Sequence, residues 1–205
     1  MSATRASAAL EGRNARRRPG PAKLQFLRGF LKHPVMVGSV IPSSQALIAR
    51  ALGPVDWSRT KLFVEYGPGV GTFTAAILDR LAPDATLVTI DTNEEFTDYL
   101  RETMADPRLL AVTGSAADVR RILADRGLGE ADYILSGLPF STLPPGVGPR
   151  IAAETAAAIR PGGAFIAYQF SPKVRDYMAP HFPRIAKAFE WRNVPPASLF
   201  WGWKD

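Results

Sequence analysis

The sequence predicts an α/β domain whose central sheet is mostly parallel. Two observations lead to this prediction. Short apolar segments typical of buried strands alternate with helical segments along residues 62–170, and the first strand, LFVEY at 62–66, runs into a glycine-rich turn that opens a helix. Strands that alternate with helices form parallel sheets covered on both faces. Such sheets bind ligands at the carboxyl ends of their strands, so a site is expected there.

The predicted elements follow one another without a gap long enough for a second domain. Strands are predicted at 62–66, 85–91, 108–114, 131–137 and 162–170, and segments 186–193 and 197–203 are predicted to complete a seven-stranded sheet as a terminal hairpin. Helices are predicted at 72–81, 95–104, 119–126 and 149–159. A further helix is predicted before the first strand, where Pro42, Ser43 and Ser44 precede an apolar segment that Gly53 ends.

Length and composition limit the classes of function. A chain of 205 residues suffices for one well-buried domain. The 46% hydrophobic and 21% charged residues are ordinary for a globular protein, and no apolar stretch reaches the roughly 20 residues of a membrane span. With no cysteine and only two isolated histidines, His33 and His181, the sequence predicts no metal site.

The positive charge is concentrated at the N-terminus. Residues 1–35 hold eight Lys or Arg and one acidic residue, whereas residues 36–205 hold 17 basic and 18 acidic ones. Residues 1–20 are predicted to be a disordered basic tail, because they are rich in Ser, Ala, Arg, Pro and Gly and lack the apolar core of a secretory signal. Such a tail either meets phosphates of nucleic acid or anionic lipid, or is simply solvated.

The sequence predicts an amphipathic basic helix at residues 21–33. Its apolar and basic side chains recur at helical spacing: Lys23, Leu24, Phe26, Leu27, Arg28, Phe30, Leu31 and Lys32. One interpretation is a surface helix that packs on the domain. The other is a helix that lies in a membrane interface, with basic residues at anionic headgroups. The remaining residues, 34–205, are predicted to form the catalytic domain.

A glycine-rich turn and two acids form the first candidate site. Gly67, Gly69 and Gly71 follow the first strand and allow a ligand to approach the backbone closely. Glu65 lies two positions before the first glycine, and Asp91 ends the second strand. An acid at that position accepts the ribose hydroxyls of an adenosine, and a second acid suits a cationic ligand better than a pyrophosphate. The alternative is that both acids are ordinary caps or salt-bridge partners.

Two loops after later strands add candidate residues. Ser115 and Ala116 follow the third strand, where Ser115 either contacts an adenine edge or caps the next helix. Residues 136–140, Ser-Gly-Leu-Pro-Phe, follow the fourth strand. This loop resembles the Asn-Leu-Pro-Tyr loop of ribosomal-RNA adenine dimethyltransferases, which lines the methyl-transfer site.

Together, the segments at 64–74, 88–93, 136–140 and 32–44 resemble the short type of bacterial phospholipid N-methyltransferase, and the resemblance covers residues 20–205. It implies a Rossmann-like class I methyltransferase fold, preceded by an N-terminal amphipathic helix that docks on the membrane. It also implies S-adenosylmethionine as cofactor, with S-adenosylhomocysteine as product, and methylation of phosphatidylethanolamine and its mono- and dimethyl derivatives to phosphatidylcholine. The cofactor residues that it implies are Glu65, Gly67, Gly69, Gly71, Asp91, Thr92, Ser115, Ala116, Ser136 and Leu138.

The acceptor site follows from the same resemblance. The Gly137 carbonyl, Phe140 and Tyr168 are predicted to surround the amine, whose proton is removed by desolvation or by a base. No residue is identified as that base, and His181 is a weak candidate. The predicted lipid contacts are Ser39, Ser43, Ser44, Phe140, Lys173, Arg175 and Tyr177.

Lipid is preferred over nucleic acid as the acceptor. Gly137 and Phe140 replace the asparagine and tyrosine of the RNA enzymes, and the near-neutral body offers little surface to phosphates. We therefore expect a monomer bound peripherally to the cytoplasmic face of the inner membrane, with no nucleic-acid partner. Two alternatives stay open: an RNA adenine N6-methyltransferase, and a non-catalytic membrane-binding module.

Overall fold

The computed structural model describes residues 43–205. The strands are β1 (Leu62–Tyr66), β2 (Thr86–Asp91), β3 (Leu109–Thr113), β4 (Ala131–Ser136), β5 (Ile159–Gln169), β6 (Arg184–Glu190) and β7 (Ala197–Trp203). The helices are α1 (Gln45–Leu52), α2 (Thr72–Leu78), α3 (Glu94–Thr103), α4 (Val119–Ala124), α5 (Val147–Ala158) and α6 (Lys173–Met178). A single 3₁₀ turn, Ala116–Asp118, precedes α4.

The seven strands form one sheet in the order β3-β2-β1-β4-β5-β7-β6. The first five strands pair in parallel, and β7 pairs antiparallel with both β5 and β6. The terminal hairpin therefore enters the sheet with its second strand inside and its first strand at the edge. This arrangement confirms the predicted fold class, whereas the predicted tail at 1–20 and amphipathic helix at 21–33 lie outside the described residues.

Two apolar layers cover the two faces of the sheet because alternate residues of each strand point to opposite sides. In β1, Val64 and Tyr66 join the layer beneath α4 and α5, and Phe63 joins the layer beneath α1 and α2. All five residues of β1 are buried. A strand covered on both faces reads as a continuous apolar run, which explains why LFVEY is recognisable as a strand from the sequence.

Most element boundaries differ from the sequence prediction by one to three residues, and one helix was missed. β5 begins at Ile159, immediately after α5 ends at Ala158, so the strand is three residues longer than predicted at its start. α6 was not predicted. It buries only Val174 and Met178, and one apolar pair four residues apart is too little periodicity to indicate a helix.

The topology brings several loops to one edge of the sheet. The turns after β1, β2, β3, β4 and β5 lie at the carboxyl ends of the parallel strands. The turn between β6 and β7 lies there too, because β7 runs opposite to β5 and its Ser198 is in register with Gln169 at the end of β5. Within residues 43–205, no helix has the length and apolarity that crossing a membrane requires. The same residues contain no group of three or more side chains able to hold a metal ion.

Candidate active site

The turn between β1 and α2 depends on its glycines. Gly67, Gly69 and Gly71 have φ of 65°, 53° and 80°, values that other residues rarely adopt. A Cβ atom on Gly71 would lie 2.3 Å from Cε of Met104 and 2.6 Å from Cδ2 of Leu100. The turn is therefore held close against α3.

Glu65 lies beneath this turn and is 2% exposed. Its Oε2 accepts a hydrogen bond of 2.6 Å from the hydroxyl of Thr74, in α2. Burial, and to a smaller extent the neighbouring Asp91, raise the pKa of Glu65 to about 8. Thr74 was not among the predicted site residues, because a threonine in the middle of a helix carries no sequence signal of its own.

Asp91 ends β2 on the same face of the sheet as Glu65, since Glu65 is in register with Thr89, two residues earlier. The backbone N–H of Asn93 donates to the Asp91 Oδ1 at 2.9 Å. Hydrogen bonds from the backbone N–H groups of Asn93, Gly69 and Thr92 lower the pKa of this carboxyl. Burial nevertheless raises the pKa of Asp91. A carboxylate anchored in this way keeps oxygen lone pairs for the hydroxyls of a ligand.

Two acids thus share one face without a cation of their own. Within residues 43–205, no basic side chain forms a salt bridge with either Glu65 or Asp91. A positively charged ligand with free hydroxyls therefore fits: the charge lies near Glu65 and the hydroxyls near Asp91. S-adenosylmethionine has both features, and the residues present are suited to it.

The loop after β4 packs directly on the glycine turn. The N–H of Gly137 donates to the carbonyl of Tyr66 at 3.0 Å, and Leu138 contacts Gly67. Gln169 fixes the loop from β5: its Nε2 donates to the carbonyl of Leu138 at 2.6 Å, and its Oε1 accepts from the N–H of Phe140 at 3.3 Å. Gln169 was missed by the sequence analysis because its partners lie about thirty positions away in the chain.

Tyr168 occupies the space beside Gly137. A Cβ atom at position 137 would lie 2.3 Å from the Tyr168 hydroxyl and 2.8 Å from Cζ. The Tyr168 ring stacks on Phe73 with centroids 4.8 Å apart, and its hydroxyl is hydrogen-bonded to the side chain of Ser43. Burial and the nearby Glu65 raise the pKa of Tyr168, so the hydroxyl stays protonated.

Phe140 and Tyr177 are placed differently from the prediction. Phe140 is 1% exposed, and its ring packs among the rings of Phe165 and Tyr177 in the core. Tyr177 lies against Gly148, where α6 meets α5. The structure therefore does not expose the Phe140 ring to an acceptor amine, and it makes Tyr177 a packing residue. The apolar sequence around residue 165 explains both placements, because a ring at this depth gains more from burial than from exposure.

Three of the predicted serines serve as local caps. Ser44 accepts from the N–H of Leu47 at 3.1 Å and caps α1, while its own N–H donates to Oδ1 of Asn193. Ser115 caps the 3₁₀ turn, and buried Ser136 accepts from the N–H of Leu138 at 3.2 Å. The remaining predicted cofactor residues are Ala116, which is buried, and Thr92, which is exposed.

The charged candidates divide into two groups. Lys173 and Arg175 are exposed at the start of α6, which follows β5 at the site edge. His181 follows the other end of α6, next to Phe182, which contacts Gly202. Gly202 is in register with Phe165, four residues before the end of β5, so His181 is not brought to the site. Ser39 and the eight predicted membrane residues lie outside the described residues.

Comparison with known proteins identifies the family of this chain. Residues 63–163 match the model of a methyltransferase domain. An ornithine lipid N-methyltransferase of Singulisphaera acidiphila is 30% identical over 177 residues, which cover 85% of this chain and 92% of the relative. The chain belongs to the class I methyltransferase family. Its cofactor is S-adenosylmethionine.

Solved structures support the fold of this methyltransferase. An O-methyltransferase family protein from Burkholderia thailandensis superposes with a TM-score of 0.66 at 15% identity, over 89% of this chain and 60% of that one. The precorrin-6y C5,15-methyltransferase of Geobacter metallireducens superposes with a TM-score of 0.60 at 12% identity, over 79% of this chain and 89% of that one. The acceptors of these methyltransferases differ, so the shared fold does not identify the acceptor.

Proposed function

We propose that this methyltransferase transfers methyl groups to the headgroup amine of phosphatidylethanolamine, and then to its mono- and dimethyl derivatives, to give phosphatidylcholine at a membrane surface. The observation that carries the proposal is the similarity, over nearly the whole chain, to an enzyme that methylates the nitrogen of a lipid. The site agrees with a small aliphatic amine, because Gly137 brings a backbone carbonyl and no side chain to the loop that lines the transfer position.

The protein's contribution is to hold the amine and to exclude water. S-adenosylmethionine supplies a methyl group bound to a positively charged sulfur, close to which a nitrogen must arrive with a free lone pair. The Gly137 carbonyl accepts an N–H of the amine, and the Tyr168 hydroxyl offers a second oxygen. Half-buried surroundings lower the pKa of an ammonium by desolvation, so the amine loses its proton there more readily than in water. Positioning then supplies much of the rate.

The lipid phosphate needs donors near the same edge of the sheet. Lys173 and Arg175 provide exposed positive charge directly after β5, and Ser43 lies beside Tyr168. In this arrangement the phosphate remains at the rim while the amine reaches inward to Gly137. The amphipathic segment at 21–33 is proposed to hold the enzyme on the cytoplasmic face of the membrane.

Ornithine lipid is a second candidate acceptor. The Singulisphaera acidiphila relative is named for it, and it likewise presents a primary amine on a membrane lipid. An RNA acceptor is less well supported, because in the loop after β4 the Leu138 carbonyl is already bound by Gln169 and is not free for a flipped base.

The experiment that tests the proposal is methyl transfer from radiolabelled S-adenosylmethionine to vesicles that contain an anionic lipid and either phosphatidylethanolamine or ornithine lipid, with ribosomal-RNA fragments as a parallel acceptor. Labelled mono-, di- and trimethylated phosphatidylethanolamine is the expected result, and Glu65→Ala is expected to abolish it. Label in ornithine lipid alone would assign the second acceptor, and label in ribosomal-RNA fragments alone would assign the third. Absence of cofactor binding would identify a non-catalytic module.

A further inference from the structure

The turn between β6 and β7, residues 191–196, reverses the usual distribution of polar and apolar side chains. Glu190, at its base, is fully buried, and Asn193 is 5% exposed. Trp191 and Val194, in contrast, are 70% and 78% exposed. Charged side chains are rarely buried and large apolar ones are normally covered, so a turn with its acid inside and its indole outside calls for a physical reason.

Trp191 and Val194 are exposed because specific contacts hold the polar residues of the turn inward. Glu190 accepts from both the N–H and the Nε of Arg192, at 3.0 and 3.1 Å, and lies 3.6 Å from Arg50 of α1. Asn193 accepts from the N–H of Ser44 at 2.9 Å and donates to the carbonyl of Pro195 at 2.8 Å. These bonds fix the backbone so that Trp191 and Val194 face outward.

Exposed apolar surface continues from the turn toward the active site. Phe189 is in register with Ser198, which is in register with Gln169, so the Phe189 and Gln169 side chains lie on the same face of the sheet. Phe189 and Phe170 are each 53% exposed. The four exposed side chains, Phe170, Phe189, Trp191 and Val194, are called the apolar rim below. The apolar rim lies at the edge of the sheet that carries Gly137 and Tyr168.

Positive charge surrounds the apolar rim. Arg50 and Arg192 have side chains 45% and 60% exposed, and one buried acid, Glu190, is their shared partner. Lys173 and Arg175 lie exposed near Phe170, with Asp176 as the exposed acid beside them. The described surface here is therefore net positive, which favours an anionic partner. The apolar rim consists of an indole, two phenyl rings and a valine, with arginine side chains beside it. Such a combination is suited to the boundary between headgroups and acyl chains.

We infer that the apolar rim docks the folded domain on an anionic lipid bilayer, with Trp191 and Val194 inserted and the active-site edge facing the headgroups. This inference deepens the proposed function, on which it rests. It adds a membrane contact made by the catalytic domain itself, separate from residues 21–33. Because the rim and Gly137 share one edge, docking presents the amine of a lipid to the site without lifting the lipid from the bilayer.

The test compares the full chain with the double variant Trp191→Ser, Val194→Ser. The probes are vesicles of phosphatidylethanolamine and phosphatidylglycerol, and a short-chain phosphatidylethanolamine that is dispersed as monomers. The double variant is expected to bind vesicles about tenfold or more weakly, because two large apolar side chains no longer leave water. Transfer to vesicles should fall in step, while transfer to the dispersed lipid and cofactor affinity stay unchanged. Leu110→Ser is the matched control, since Leu110 is 37% exposed on β3, at the opposite edge of the sheet.

Each other outcome overturns the inference or separates it from the proposed function. Unchanged vesicle binding overturns it, as does a parallel loss of cofactor affinity, which would make the turn a support of the fold. A dimer that the double variant converts to a monomer would assign the rim to a second copy. If the fluorescence emission of Trp191 is already typical of an apolar environment and is not quenched by brominated lipid, residues 1–42 and not lipid cover the apolar rim. If the chain methylates no lipid but the double variant alone loses vesicle binding, the docking surface stands and the proposed function fails.

Discussion

Glu65 is the residue whose chemistry depends most on what binds beside it. Its burial raises its pKa to about 8, so near neutral pH the carboxyl is mostly protonated when no cation is close. A ligand with a positive charge reverses this preference, because it stabilises the carboxylate. Cofactor binding and proton release are therefore linked at this site.

Glu65→Gln should change how the stability of the ligand-free protein depends on pH. Unfolding returns the Glu65 pKa to about 4.5, so between pH 4.5 and 8 the folded state binds more protons than the unfolded chain, and the free energy of unfolding falls as the pH rises. The variant lacks this loss. Its stability relative to the wild type should increase from pH 5 to pH 8, by roughly 1.4 kcal/mol for each pH unit in which the two states differ by a full proton. Urea unfolding at a series of pH values measures it.

The same variant should bind S-adenosylmethionine at least about tenfold more weakly, because a neutral amide replaces the carboxylate. Glu94→Gln is the control, since Glu94 is exposed at the start of α3. Parallel pH profiles for wild type and Glu65→Gln would show that Glu65 titrates normally in the folded protein, and equal affinities would remove it from the cofactor site.

Gly137 and Tyr168 should be coupled by steric contact. The φ of Gly137 is not positive, so alanine fits the backbone there, but its Cβ would collide with the Tyr168 hydroxyl and ring. Gly137→Ala should therefore destabilise the wild type and cost much less in a Tyr168→Ala background. We expect a coupling free energy of roughly 1–3 kcal/mol from a double-mutant cycle by urea unfolding. Additive effects of the two substitutions would mean that the loop moves away from β5 freely.

At the scale of elements, Asn193 links the start of α1 to the β6–β7 turn, beside the ion pair of Arg50 with Glu190. Asn193→Ala removes two part-buried hydrogen bonds, one from the N–H of Ser44 and one to the carbonyl of Pro195. Unfolding free energy should fall by about 1–3 kcal/mol. Ser58→Ala, which removes an exposed hydroxyl whose bond is to Asp56 only two residues away, should cost little. Equal effects of the two substitutions on urea unfolding would contradict the bridging role of Asn193.

Sequence patterns predicted the elements that local signals define. The apolar run of β1 and the whole of β7 were predicted at their observed bounds, and the strand ends placed Glu65 and Asp91 correctly at one edge. The missed features are those that depend on distant parts of the chain. Gln169 is hydrogen-bonded to Leu138, 31 positions away in the chain, and Asn193 to Ser44, 149 positions away. No local residue spacing indicates either hydrogen bond. Phe140 likewise packs on Tyr177 of α6, a helix whose single apolar pair gave too little periodicity to predict.

At the scale of the whole molecule, charge and apolar surface are separated along the chain. Residues 1–35 carry eight basic residues and one acidic one, whereas the apolar rim belongs to the folded domain. In the proposed membrane-bound state, attraction between residues 1–35 and anionic lipid acts over about 10 Å and weakens with salt, while transfer of the apolar rim out of water does not. The two contributions to membrane binding are therefore separable by ionic strength.

Replacing the arginines of residues 1–20 should reduce the salt-dependent part of vesicle binding and leave the part that comes from apolar contact unchanged. Replacing five arginines, Arg5, Arg13, Arg16, Arg17 and Arg18, with glutamine in the full chain should weaken binding to phosphatidylglycerol-containing vesicles by up to about 1 kcal/mol per residue near the surface. The remaining affinity should vary less between low and high salt than that of the wild type, because only Lys23, Arg28, Lys32 and the basic residues beside the apolar rim still attract anionic lipid. Vesicle co-sedimentation across a salt series, with uncharged vesicles as the control, measures both parts. A variant whose binding falls as steeply with salt as that of the wild type would show that the electrostatic contact is not made by residues 1–20.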